Sequence, residues 1–116
     1  MDKVQKLWAE HSGARFPTGL SGTEVEGIDL AALEAEIAGC VDTFLKNAGN
    51  LDPKRRAVLE AGYEDVSKVV LGLFGEPRRY FERLRDMARE TLHYLQDRRG
   101  GGLISTLKCN TEGQRA

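Results

Sequence analysis

Residues 29–74 read DLAALEAEIAGCVDTFLKNAGNLDPKRRAVLEAGYEDVSKVVLGLF, two helical periods divided by a sharp boundary. In the first period Leu30, Leu33, Ile37, Cys40, Val41 and Phe44 recur at the spacing that lines one face of an α-helix. Asp29 stands where an N-cap is needed, since its short carboxylate can accept from the free N–H groups of the first turn. The spacing therefore predicts a helix from Asp29 to about Ala48. Gly49 then closes that helix, Asp52 caps the next, and Pro53 occupies a first-turn position whose N–H has no partner anyway. The second helix is predicted from Pro53 to about Phe74, burying Leu59, Gly62, Tyr63, Val66, Val69, Val70 and Leu73. Glu60, Glu64 and Lys68 form an i, i+4 row on its outer side, with the charges in the supportive order.

Outward from this pair, Gly75 and Pro77 mark another boundary. A third long helix should run from Pro77 to about Arg98, burying Phe81, Leu84, Ala88, Thr91, Leu92 and Leu95. Short connections make successive helices antiparallel neighbours. On the N-terminal side, Val4, Leu7 and Trp8 share one face of a short helix over residues 2–12. The expected fold is all-α: an antiparallel bundle of three long helices plus a short N-terminal one, with no strand. Residues 1–99 would form one domain with a long connection at about 13–27, either packed down through Phe16, Pro17, Leu20 and Val25 or mobile. Residues 100–116 begin with three glycines and are expected to be a flexible tail.

The whole chain has 116 residues, 41% apolar and 30% charged, with a net charge of −1. That is the composition of a globular domain large enough to hold a core without metal or disulfides. No stretch approaches the roughly 20 apolar residues that cross a bilayer, and the N-terminal segment lacks an apolar run suited to secretion. A cytoplasmic protein is expected. The cysteines agree with this: Cys40 lies in an apolar stripe and Cys109 in the tail, a spacing unlike a zinc site or a disulfide framework. Charge is uneven but mild, acidic before residue 52 and slightly basic after it, and it forms no continuous basic stripe of the kind nucleic acid requires.

Candidate chemistry is sparse. Glu90 and His93 match the Glu-x-x-His pair of di-iron bundles, but with Glu82 and Asp86 they fall opposite the apolar stripe of their helix. Glu60, Glu64 and Asp65 suggest the carboxylate clusters that bind magnesium in phosphate chemistry, yet they too lie on an outer face. A small metal-dependent enzyme with Glu60, Glu64, Glu90 and His93 as ligands is thus an alternative reading, and no cofactor is expected. Lys54, Arg55, Arg56, Arg78 and Arg79 sit at helix N-terminal ends, where cations oppose the helix dipole. Contact with an anion or an acidic partner, or weak nucleic-acid binding, is a further alternative. The glycines at 13, 19, 22 and 27 do not make a phosphate-binding loop, because no Gly-Lys-Ser/Thr follows them.

Apolar residues placed off the core stripes point elsewhere. Leu71 projects away from the buried face of its helix, Leu45 lies beside the main stripe, and Trp8 and Phe16 belong to the short helix and the connection. Ala31, Ala35 and Ala38 make a small-residue face that allows close approach. Either the N-terminal helix and the long connection cover these residues within one chain, or the set Trp8, Phe16, Ala31, Ala35, Ala38, Leu45 and Leu71 is the interface of a non-enzymatic interaction module, a homodimer or a subunit binding another protein.

Three runs, RFPTGLSGTEVEGIDLAALEAEIAGCVDTFL, LDPKRRAVLEAGYEDVSKVV and EPRRYFERLRDMARETL, resemble a group of small bacterial proteins with no assigned function. The positions that carry the likeness are Leu7-Trp8, Phe16-Pro17, Gly27-Ile28-Asp29, Ala38-Gly39-Cys40, Leu51-Asp52 and Tyr80-Phe81, within about residues 5–95. The resemblance implies a bacterial, intracellular helical protein and carries no catalytic residue with it.

Overall fold

A computed structural model describes residues 1–101. Among them the elements run α1 (Asp2–Ser12), β1 (Glu24–Val25), β2 (Ile28–Asp29), α2 (Leu30–Lys46), α3 (Pro53–Leu71) and α4 (Gly75–Gly101). The four helices pack against one another. α2 lies against α3 and α4, α3 against α4, and α1 mainly against α4. No described helix is long and apolar enough to cross a membrane. Cys109 and the expected tail from residue 102 onward lie outside the described residues.

The caps do what their chemistry dictates. Asp29 Oδ1 accepts from the Ala32 N–H at 3.0 Å. Asp52 Oδ2 accepts from the Arg55 N–H at 3.1 Å, with Pro53 next to it at the start of α3. α2 stops at Lys46, two residues earlier than expected, because the chain turns left-handed at Ala48 (φ 54°) and Gly49 (φ 86°). The Gly49 N–H reaches back to the Phe44 carbonyl at 2.9 Å, a bond spanning the end of the helix as in a Schellman closure. α3 likewise ends at Leu71 rather than Phe74. The Gly72 N–H bonds to the Val69 carbonyl, tightening the last turn, and α4 begins at Gly75, ahead of Pro77. The linker between α3 and α4 is thus only residues 72–74.

The strand-free expectation fails in one place. Val25-Glu26-Gly27-Ile28 makes a two-residue hairpin, pairing Val25 with Ile28 and Glu24 with Asp29. Glu26 (φ 55°) and Gly27 (φ 76°) both take positive φ, the requirement of a type I′ turn whose twist suits a hairpin. Asn-Gly is the usual signal, and glutamate in the first place hides it. The ribbon leads straight into α2 and fixes where that helix begins, since the Leu30 N–H bonds to the Thr23 carbonyl at 3.0 Å.

The core is one cluster. It takes Leu30, Leu33, Ile37, Cys40, Val41 and Phe44 from α2 and Leu59, Val66, Val69 and Val70 from α3, with Phe81, Leu84, Met87 and Ala88 from α4 and Val4 from α1. The α2 stripe matches the expected one residue for residue. On α4, Tyr80 and Met87 are buried as well, and Leu92, like Tyr63 on α3, is only partly so. α2 and α3 approach closely where Gly62 faces Ile37: a Cβ at Gly62 would stand 2.9 Å from Ile37 Cγ1. Ile37 is fully enclosed and has little room to move.

This contact makes two glycine substitutions diverge. Gly39 sits on the exposed side of α2, and a methyl group added there would meet nothing within 4 Å. Gly39→Ala should therefore stabilise the fold by about 0.5–1 kcal/mol through helix propensity. Gly62→Ala has the same propensity gain but must displace Ile37, and overpacking typically costs about 1–3 kcal/mol. Thermal melts of the two variants should therefore move in opposite directions.

Candidate functional site

Two features stand apart from ordinary core and solvated surface. The first is apolar and exposed. Leu71 keeps 75% of its surface and Phe74 81%, while Leu73 between them is buried. The geometry follows from the tight linker. Gly72 ends α3 with Leu71 still on its outer face, Leu73 turns inward, and Phe74 projects outward before Gly75 starts α4. The hairpin abuts this corner, since a Cβ at Gly72 would stand 3.0 Å from Val25 Cγ1. Lys68 one turn before Leu71, and Glu76 and Arg79 just after Phe74, are not buried, nor are Glu24 and Glu26 on the hairpin. Among the described residues none of these five takes part in an ion pair, whereas neighbouring Arg78 pairs with Glu82 at 3.1 Å.

The other members of the expected interface are distributed differently. Trp8, Phe16 and Leu45 are half-buried and pack against the core. Phe16 meets the rings of Tyr80 and Phe81 edge to face, at centroid distances of 5.8 and 6.1 Å. Ala31 and Ala38 are half-buried, and Ala35 is exposed. Phe74 is hidden from the sequence pattern because the helical period runs through it on paper.

The second feature is polar and buried. His11, at the end of α1, is only 4% exposed. Its Nε2 lies 2.9 Å from Glu34 Oε2 on α2 and 3.5 Å from the Tyr80 hydroxyl on α4. Three helices thus meet through one imidazole. The His11 and Tyr80 rings are 4.9 Å apart, and the Arg83 guanidinium sits 5.7 Å from the Tyr80 ring centre. His11 Nδ1 and Arg83 Nε are both enclosed without a hydrogen-bond partner among the described residues. Burial, and secondarily the Glu34 carboxylate, push the Tyr80 phenol up to about 12, with Arg83 acting in opposition. A usable signal for His11 exists: with Val4, Leu7 and Trp8 it completes the i, i+3, i+4, i+7 stripe of a packed helix face.

The metal ligands of the alternative reading do not come together. Glu60 and Glu64 lie on α3, with Glu60 exposed and 3.5 Å from Arg56. On α4, Glu90 faces Arg89 and Lys3, while His93 is exposed. Among the described residues no three His, Cys, Asp or Glu side chains group as metal ligands would. The basic residues separate as well. Lys54, Arg55 and Arg56 lie at the start of α3, and Arg78 and Arg79 follow its far end, beyond a helix of 19 residues and about 28 Å. Arg55 is engaged by its own cap: its guanidinium meets Asp52 Oδ1 at 2.8 Å and holds that carboxyl below its ordinary value. Cys40 is enclosed beside the Arg55 carbonyl at 3.5 Å, and burial raises its thiol.

No family model, curated protein or solved structure matches this chain.

The raised phenol gives a testable pH dependence. Tyr80 ionises near 10.0 when exposed and only near 12 in the fold, so the folded state favours the neutral form. Its contribution to stability is complete below pH 10 and disappears as the pH rises towards 12. Urea unfolding of Tyr80→Phe should show a shallower fall in stability than the wild type across that interval, and equal slopes would contradict the assignment.

Proposed function

We propose that the chain is a non-catalytic protein–protein interaction module that self-associates through the corner between α3 and α4. The exposure of Leu71 and Phe74 is the observation that carries this reading. Two large apolar side chains standing together in water mark a contact site more often than scattered single ones do. A second copy is the occupant favoured by charge. The corner holds the cations Lys68 and Arg79 and the anions Glu24, Glu26 and Glu76, none paired internally among the described residues, so a two-fold rotation can set opposite signs against each other. Two side chains and a charged rim fall short of the roughly 800 Å² per partner of a standard interface. The association is therefore weak and concentration-dependent.

In the same reading, the short linkers at 47–52 and 72–74 return the chain alongside itself, making the three long helices an antiparallel bundle with α1 as its smaller fourth piece. A bacterial, cytoplasmic setting fits the resemblance and the two cysteines. The metal-enzyme and nucleic-acid alternatives have no comparable support, because their residues are spread over separate faces.

Sedimentation velocity from about 10 µM to about 1 mM protein should show a reversible monomer–dimer equilibrium. Leu71→Asp and Phe74→Asp should shift it to monomer while leaving thermal stability within about 0.5 kcal/mol, as exposed positions do. A wild type that stays monomeric throughout, or a Phe74→Asp variant that dimerises equally well, would refute the proposal.

A further inference from the structure

We propose that α1 is an acid-released arm, held to the bundle at neutral pH by the His11–Glu34 bond and let go when that carboxylate takes up a proton. The argument starts from how little else holds α1. Of its 11 residues only Val4 and His11 are buried, and Leu7 and Trp8 are half-covered. An open cleft lined by Lys3, Lys6, Leu7 and Glu10 on one side and Asp86, Arg89 and Glu90 on the other runs along the outer edge of the α1–α4 seam, bridged only by the exposed Lys3 ammonium 3.9 Å from Glu90 among the described residues. A lone helix of this length is marginal in water, so α1 depends on its docking contacts. One of its two buried anchors is an imidazole rather than a hydrocarbon.

The groups facing that imidazole set the direction of the effect. α2 presents Glu34, 2.9 Å away, and α4 presents the Tyr80 hydroxyl and, against the Tyr80 ring, the Arg83 guanidinium. The carboxylate is the one negative group of this set, and Tyr80 stays neutral throughout the acid range. With Glu34 ionised, an imidazole at this position has either an acceptor for its N–H or a counter-charge. With Glu34 protonated, an imidazolium there is buried without its counter-charge, and one of its N–H groups, at Nδ1, has no acceptor among the described residues. A buried charge without a partner is strongly disfavoured. Releasing α1 returns His11 to water and relieves the conflict. The docked arm is thus stable while Glu34 is charged and lost as falling pH neutralises it.

Trp8 is the only tryptophan in the chain and lies on α1, its ring centre 6.3 Å from that of His11. Its fluorescence reports docking directly. In a titration of the full chain from pH 8 to pH 3, with far-UV ellipticity followed in parallel, the Trp8 emission should shift to the red towards the acid end while most helix is retained. Glu34→Gln keeps a hydrogen-bond acceptor but removes the counter-charge. Its release should occur at a higher pH than in the wild type, because no counter-charge then faces the protonated imidazole. His11→Phe replaces the titrating anchor with an apolar ring and should flatten the transition. The proposal is overturned if wild type and Glu34→Gln titrate together, if His11→Phe titrates like the wild type, or if the emission change always coincides with global loss of helix. If Glu34→Gln fails to fold, the wild-type and His11→Phe curves still decide the matter.

Discussion

The apolar stripe of α2 is the surface against which α3 and α4 are both set. Leu30, Leu33, Ile37, Val41 and Phe44 are enclosed because α3 and α4 both lie against this helix. Burying side chains of this size contributes about 1.5–3 kcal/mol each, more than a typical cap or surface ion pair can. The glycine at position 62 lets α3 approach at Ile37, and the hairpin sets the start of α2 through the Thr23 carbonyl and the Asp29 cap. Interactions farther out, such as Arg78 with Glu82 or Lys46 with Asp42, are solvent-exposed pairs of the kind that adds little.

The features legible in the sequence are those with a periodic or stereochemical cause. The α2 stripe shows itself by spacing alone. The breaks show themselves because Asp52-Pro53 and Gly49 have few other uses in such positions. Element ends are harder to place, since they depend on bonds between particular turns. Phe74 continues the helical period of α3 on paper, yet the Gly72 N–H turns back to Val69 and removes Phe74 from the helix. The hairpin escapes a sequence reading because a two-residue strand has no period and Glu26 is an uncommon residue at positive φ.

The candidate sites divide along the same line. Leu71 is readable as an outlier from its helix face, and its exposure follows from that position. Its companion Phe74 is not, for the reason just given. Trp8 and Phe16 cannot be assigned from local pattern, because what covers them comes from distant segments: α1 lies along α4, and the connection folds Phe16 onto Tyr80 and Phe81. Glu90 and His93 have a suggestive spacing, but the same wheel that gives the spacing turns them away from the core. Spacing alone therefore identifies surface and core on single helices and says little about which helices meet.

The buried polar chain is the case where that difference matters most. Glu34 is one of several acidic residues on α2, His11 ends a short helix, and Tyr80 follows two arginines. Nothing local links them, and they are separated by as many as 69 positions. Their meeting also bears on how α1 finds its seat. An apolar anchor such as Val4 tolerates small slips along a greasy groove, since burial is non-directional. A bond between an imidazole nitrogen and one carboxylate oxygen does not, because it weakens steeply with distance and angle. With Val4, about two turns away, supplying the burial, His11 can specify register and orientation instead. A helix with so few buried side chains gains definition from this arrangement, and in exchange its docking becomes sensitive to the charge on Glu34.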